Sequence, residues 1–529
     1  MVSTSGSHIG STSFCHDPEF CMHPTDNATQ LDEMKWPEKI RDYVHCMDLV
    51  CQCGAFNGTV VGNNCVLQNG KVLRKALRKE FRQLTTEERV AYTSVLQQLH
   101  QEGVLNYLGT LHKTAGIHSG PAFFPWHREF FKRTELLLRT YNPEIAIPYW
   151  DSTLDNYLAD PYSSMMFTYD LLGEPGERGY VYNTVFSNWT TMDGRPTWYR
   201  SFGKEPDGEL FNNKRIEWVM SQTDVHYVLT YSLPLIGCKG YYLDERFLEY
   251  SHDYVHYFMS GDMQDRATSS NDPAFFLHHS FVDSIWEDWR QAKQRPEQRE
   301  EDWPIDNLEC APGWHFKNAS MPLLKPFKNK DALSRKYTEN LFSYASRPTC
   351  TNETKDCGSE FLFCDTVTTP ESPHCVAKVK FTGSCTGFEW SDDICYFGKC
   401  INGTCQPRKE DVPLGFPTPP TFVIPENHPF FTHPKKIGPK GKGNGDERKE
   451  NEVKLDNDDN KDKVNSKFVQ EEANSSNDGD SSDDSEDENF LSKEPSGSIE
   501  KTAVKLESET LKIKAPRRTE FVSKTSRFM

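Results

Sequence analysis

His252-Asp253-Tyr254-Val255-His256, followed by Asn271-Asp272-Pro273-Ala274-Phe275-Phe276-Leu277-His278-His279, is the stretch on which the reading of this chain turns. Two histidines four residues apart leave one face of a helix a single turn apart, so their rings can share a metal ion. A third ring from the next helix would complete the site. Alone, such a pair is more often a surface coincidence. A second triplet lies upstream, however: His112, His118 and His127, in Leu111-His112-Lys113-Thr114-Ala115-Gly116-Ile117-His118 and Phe124-Pro125-Trp126-His127-Arg128. Three neutral imidazoles suit copper, iron or zinc, and two such sites face to face suit a two-electron reaction on a molecule that spans both metals.

Working outward, the spacing predicts four long helices. Thr85 and Glu88 form a capping box ahead of Ala91, Val95 and Leu99, with Gly103 as the stop. A second helix is expected from about Pro125 to Arg139, ended by Asn142-Pro143. A third covers about 245 to 260, and a fourth starts at Asn271-Asp272-Pro273 and runs to about Lys293. The fold class is therefore mainly α, a four-helix bundle holding metal between facing helices. The Gly-, Pro-, Tyr- and Trp-rich stretch 145–243 reads as long loops over the bundle's mouth.

The chain has 529 residues, a net charge of −18 and no clustered Lys/Arg patch, which argues against nucleic acid. No run approaches the ~18 apolar residues of a membrane span. Sixteen cysteines fall mostly in two blocks, Cys15 to Cys65 and Cys350 to Cys405, with Cys238 and Cys310 apart. That usage predicts disulfides and an oxidising compartment. Seven Asn-x-Ser/Thr sequons, at Asn27, Asn57, Asn188, Asn318, Asn352, Asn402 and Asn474, fit a secreted, extracellular glycoprotein. Met1-Val2-Ser3-Thr4-Ser5 opens without an apolar leader, so secretion implies a signal segment missing from this sequence. Residues 471–488 carry nine Asp/Glu and no Lys or Arg, and the tail is expected to be disordered. The expected organisation is a Cys-rich segment 1–66, a metal-binding domain 67–345, a disulfide segment 346–410 and a charged tail 411–529.

Phe124-Pro125-Trp126-His127-Arg128 and the run from Asn271-Asp272-Pro273 through His278-His279-Ser280-Phe281-Val282-Asp283 resemble the two copper signatures of the tyrosinase, catechol oxidase and haemocyanin family, over about residues 71–300. The resemblance implies a binuclear type-3 site with two copper ions. His112, His118 and His127 would ligate the first and His252, His256 and His279 the second. Two alternatives stay open. His100 can stand in for His112, although it sits near a helix C-terminus, where a solvated histidine is favoured anyway. His278 and His279 point about 100° apart, so only one ligates easily, and the family pattern makes it the second. Asp283 is placed either to brace the site or to pair with Arg128. Phe123, Phe124, Phe275 and Phe276 are candidates for an aromatic wall that excludes water.

By the same resemblance the chain is a tyrosinase or catechol oxidase-type oxidoreductase, taking o-diphenols and monophenols to o-quinones with dioxygen. Family members often place an Asn after the first ligand of the second site, with a Glu, to orient a basic water. Here Asp253 stands in that position and Glu249 lies one turn earlier, making these two the candidate catalytic carboxylates. Some relatives link a cysteine to the second ligand of the first copper; the corresponding Gly116 rules that out. Arg266 lies where the family often has a smaller residue, either to attract an acidic phenol or to face solvent. The late cysteines and acidic tail resemble molluscan shell-matrix tyrosinase-like proteins. They imply pigment formation or cross-linking of matrix proteins, and Ca²⁺ or mineral-surface binding through carboxylates. Two other classes share these residues, a catalytically silent matrix protein and a haemocyanin-like oxygen carrier.

Overall fold

Thr85 opens the first long helix as the sequence predicts: its hydroxyl accepts from Glu88 N (3.2 Å) while the Glu88 carboxylate accepts from Thr85 N (3.0 Å). The computed structural model describes residues 34–407 apart from Ser187 and Tyr241. Helix α1 is Thr86–Gln101, α2 Val104–Ala115, α3 Phe123–Tyr141, α4 Leu248–Met259 and α5 Ala274–Lys293. Gly103, at φ +74°, turns the chain from α1 directly into α2, a conformation that costs glycine no Cβ clash. Helix α2 is one more long helix than the spacing predicts, and the four-helix bundle holds with α2 among its members. The elements carrying the histidine triplets are α2, α3, α4 and α5, with α1 packed outside them on α2 and α3.

Pro125 sits in the first turn of α3, where backbone N–H groups have no intrahelical partner to lose. Asp272 caps α5 by accepting from Ala274 N (2.9 Å), and is itself held by Arg200 at 2.7 and 2.8 Å. Helix α3 is buried along nearly its whole length, charges included. Those charges are paired, as burial demands. Arg128 Nε meets Asp283 at 2.7 Å and its Nη1 lies 3.0 Å from Glu287, tying α3 to α5. Tyr344 OH donates to Asp283 at 2.5 Å, and Arg78 forks onto Glu135 at 3.0 and 3.1 Å. Of the two roles open to Asp283, pairing with Arg128 is the one observed. A parallel strand pair, Ala76–Arg78 with Phe342–Tyr344, brings these side chains together.

Between 145 and 243 the backbone is irregular, with a short helix at Asn213–Ser221. Its aromatics are nonetheless core: Trp150, Trp189 and Trp198 are all buried, and Trp189 donates to Asn271 O (2.7 Å) just before α5. Each fully buried large side chain contributes roughly 1.5–3 kcal/mol, so this stretch is part of what holds α5 rather than a loose cover.

The cysteines pair as disulfides: Cys46–Cys51, Cys53–Cys65, Cys238–Cys310, Cys350–Cys364, Cys357–Cys375, Cys385–Cys400 and Cys395–Cys405, leaving none free among the described residues. The late block surrounds a small core of its own with Phe363, Val376, Val379, Phe388 and Ile394, onto which Leu154 and Leu158 pack. The sequons at Asn57, Asn188, Asn318, Asn352 and Asn402 are exposed. Cys15, Cys21, Asn27, Asn474 and the tail 411–529 lie outside the described residues. Among those described, no helix is long and apolar enough to cross a membrane.

Candidate metal centre

Five of the six expected ligands leave helices: His112 the last turn of α2, His127 the start of α3, His252 and His256 adjacent turns of α4, and His279 the start of α5. His118 alone comes from the loop between α2 and α3. All six are no more than 5% exposed. His112 and His127 bring their Nε2 atoms to 3.4 Å; His252 Nε2 lies 2.9 Å from His256 Nε2 and 3.3 Å from His279 Nε2. Nitrogens bound at about 2.0–2.1 Å to one ion stand roughly 3.3–3.6 Å apart, so these spacings fit a shared ion in each triplet. His118 completes the first set, its ring 5.3 Å from His112 and 4.9 Å from His127. The sets face each other through His127 and His279, stacked at 4.7 Å and 12°.

The opposite ring nitrogens of three of the histidines are held. His127 Nδ1 lies 2.8 Å from Phe123 O, His256 Nδ1 2.6 Å from Met263 O, and His252 Nδ1 3.0 Å from Asp253 Oδ1. An N–H donated outward at Nδ1 leaves the Nε2 lone pair facing inward, the arrangement that orients metal-binding histidines. Burial drives His127 down to about 3, and burial together with neighbouring histidines holds the other five well below the usual imidazole range. The rings are therefore neutral, the form that ligates. Neutral nitrogen donors without a carboxylate in either set suit copper and not Ca²⁺ or Mg²⁺.

Residues 90–292 match the common central domain of tyrosinase. This stretch is similar to the tyrosinase family's central domain. A putative tyrosinase-like protein of Caenorhabditis elegans is 40% identical over 72% of this chain and 53% of its own length. Tyrosinase-like protein 1 of Margaritifera margaritifera is 29% identical over 54% of this chain and 57% of its own, and a tyrosinase of Streptomyces antibioticus 27% identical over 41% and 83%. The chain thus spans 53% and 57% of the length of the first two. The tyrosinase domain is a binuclear copper domain, and the two histidine clusters here are compatible with that metal.

Within this tyrosinase-like stretch His100 stands apart. Its Nε2 bonds Thr190 O at 2.8 Å and its ring stacks on Trp189 at 4.2 Å. His100→Gln is expected to leave copper content unchanged in metal analysis and to cost no more than about 1–2 kcal/mol of stability; a halved copper content would restore His100 to the ligand set. His278 is the closer competitor, since a ring nitrogen of His252, His256 and His278 can be chosen all within 4.8 Å of one another. Its Nε2, however, is occupied by His252 O at 3.1 Å, and its ring lies flat on His252 at 5.0 Å and 9°. His279 presents Nε2 towards His252 and faces the other triplet, so the geometry favours His279.

Phe123 and Phe275 line the imidazoles. Phe123 lies 4.5 Å from His127 and 4.7 Å from His252, Phe275 4.8 Å from His112 and 4.4 Å from His279. Phe124 packs on Trp286 and Phe276 on Phe131, in the surrounding core. The Glu249 carboxylate accepts from Ser119 N, Gly120 N and Ser232 Oγ, and burial raises it to about 8. It holds the loop after His118. Arg266 is 6% exposed and donates to Gly116 O (3.2 Å), so it does not face solvent. A Cβ on Gly116 would press to 2.7 Å from His112 O and 3.0 Å from its ring. His315, whose sequence context matches no motif and reads as structural or solvated, is buried against this same loop. No local spacing marks it, because its contacts are made across the fold.

Proposed function

We propose that this chain is a secreted type-3 copper oxidase that converts o-diphenols, and monophenols, to o-quinones with dioxygen, one copper held by His112, His118 and His127 and the other by His252, His256 and His279. The observation that carries this reading is the facing of two buried, neutral triplets across the His127–His279 stack. Copper bound there supplies the redox exchange with dioxygen. Overall, two catechols lose four electrons and four protons to one dioxygen, giving two quinones and two waters.

The protein's part is geometric and electrostatic. Asp253 keeps His252 turned with Nε2 inward, Glu249 and Arg266 secure the backbone around His118, and Phe123 and Phe275 exclude bulk water from the rings. The disulfides support an oxidising compartment. The acidic run 471–488 supports a partner that presents cations, and quinone cross-linking of an extracellular, shell-type matrix is the role we attach to it. The test is oxygen uptake by copper-loaded protein with a catechol and then a monophenol, alongside the near-ultraviolet band that develops on adding hydrogen peroxide. Uptake with the catechol is the expected result, and the monophenol separates tyrosinase from catechol oxidase. A band without uptake sinks the oxidase in favour of an oxygen carrier, and absence of both copper and band leaves a matrix protein.

A further inference from the structure

His118 is the one ligand of the proposed set without a helix beneath it, so something else must fix its position. Its loop includes Ser119 in the left-handed region at φ +71°, a conformation a non-glycine residue keeps only where its surroundings hold it. Glu249 and Arg266 supply part of that hold. The rest comes from a distant segment. His315, on the short turn Gly313–His315, is 3% exposed and lies so close over Gly120 that a Cβ there would stand 2.5 Å from its Nδ1. Ala122 N donates to that Nδ1 at 3.5 Å, and the ring also hydrogen-bonds the backbone of His118. One imidazole therefore touches the loop at His118, Gly120 and Ala122.

The wall behind His315 is itself anchored. Leu233 N donates to Ser119 O (3.4 Å), Leu235 N to Cys310 O (2.9 Å) and Tyr231 OH to Ile305 O (2.7 Å), and the Cys238–Cys310 disulfide joins the two strips. We propose that His315 is a positioning residue for the first copper: through Gly120 and the backbone of His118 and Ala122 it sets where the His118 ring points. This rests on the ligand assignment above. His315 touches no metal; it acts through the loop, as outer partners of metal ligands do.

The experiment measures copper affinity by competition with a chelator, in two backgrounds that isolate each position. In His256→Ala the remaining copper reports the first position, and in His127→Ala the second. Adding His315→Ala is expected to weaken copper about 10–100-fold in the first background, the usual effect of removing an outer partner, and to leave the second unchanged. His315→Gln, which keeps an acceptor and a donor, should recover most of the loss. Melting of the metal-free proteins checks folding, and if His315→Ala does not fold, His315→Phe carries the test, since it keeps the ring's bulk and neither hydrogen bond. Equal weakening at both positions, or none at the first, overturns the proposal. If the parent binds no copper at all, it is the ligand assignment that has failed.

Discussion

His256→Ala should bind about one copper per chain where the parent binds two, and should consume no oxygen with a catechol. The His256 ring is fully buried, with Nδ1 fixed by Met263 O at 2.6 Å and Nε2 2.9 Å from that of His252. Alanine removes one of three nitrogens from a site that water cannot easily replenish. Since loss of a partner outside the ligand set costs about 10–100-fold in affinity, loss of a ligand costs more, and the second position empties on dialysis. Under the proposed function turnover would go with it, since a two-electron reaction would need both histidine triplets filled. Elemental analysis of dialysed protein and an oxygen electrode decide the matter. Retention of two coppers would remove His256 from the site.

The second large effect concerns stability. Arg128 is 1% exposed, meets Asp283 and Glu287 together, and lies 4.0 Å over the Trp286 ring. Arg128→Ala removes the guanidinium shared by two interior carboxylates, leaving Asp283 to Tyr344 and Arg78 and Glu287 to Arg290, and breaking a buried pair from one side costs about 3–5 kcal/mol. Urea unfolding of the metal-free protein should show that loss. The effect depends on pH with a definite sign. Burial pushes the Glu287 carboxyl up, but Arg128 and Arg290 outweigh it and hold the group at about 2, below its ordinary 4.5. A depressed acid contributes stability that is complete above the unfolded value and is lost as pH falls through the folded one. The parent should therefore lose this contribution between about pH 4.5 and 2. Arg128→Ala has already forfeited the share that Arg128 supplies, so the two curves should draw together across that window. A gap that stays constant with pH would show that Glu287 is not held by Arg128.

Local chemistry made much of this legible. The Thr85–Glu88 capping box, Asp272 ahead of α5 and the His252–His256 spacing depend on neighbours within a few residues, and each appears as read. Gly103 ends α1 as read, but a left-handed glycine ends one helix whether or not another begins at the next residue; Val104 starts α2, and that helix carries His112. Placing His100 outside the proposed ligand set rests on Thr190 and Trp189, far along the chain, and proposing His279 over His278 rests on which ring the His252 carbonyl occupies. The family resemblance assigns Glu249, with Asp253, to orienting a basic water; that its hydrogen bonds run to Ser119, Gly120 and Ser232 depends on contacts across the fold that no local spacing encodes. The interleaved late disulfides, Cys385–Cys400 with Cys395–Cys405, follow from chain proximity in space that spacing does not encode.

The strand pair Ala76–Arg78 with Phe342–Tyr344 also bears on how the chain is made. Arg78 waits 266 residues for the hydroxyl of Tyr344. At about 5–20 residues per second, translation keeps that partner away for roughly 10–50 s, long after α2 and α3 can form on their own timescale. During that interval Glu135 is the first of its charged partners to be synthesised, and Asp283 follows before Tyr344. Closure of the domain is thus a late, non-local event whose loop entropy must be met before its contacts contribute. An emerging chain should expose apolar faces of α2 and α3 to chaperones until the Phe342–Tyr344 strand arrives.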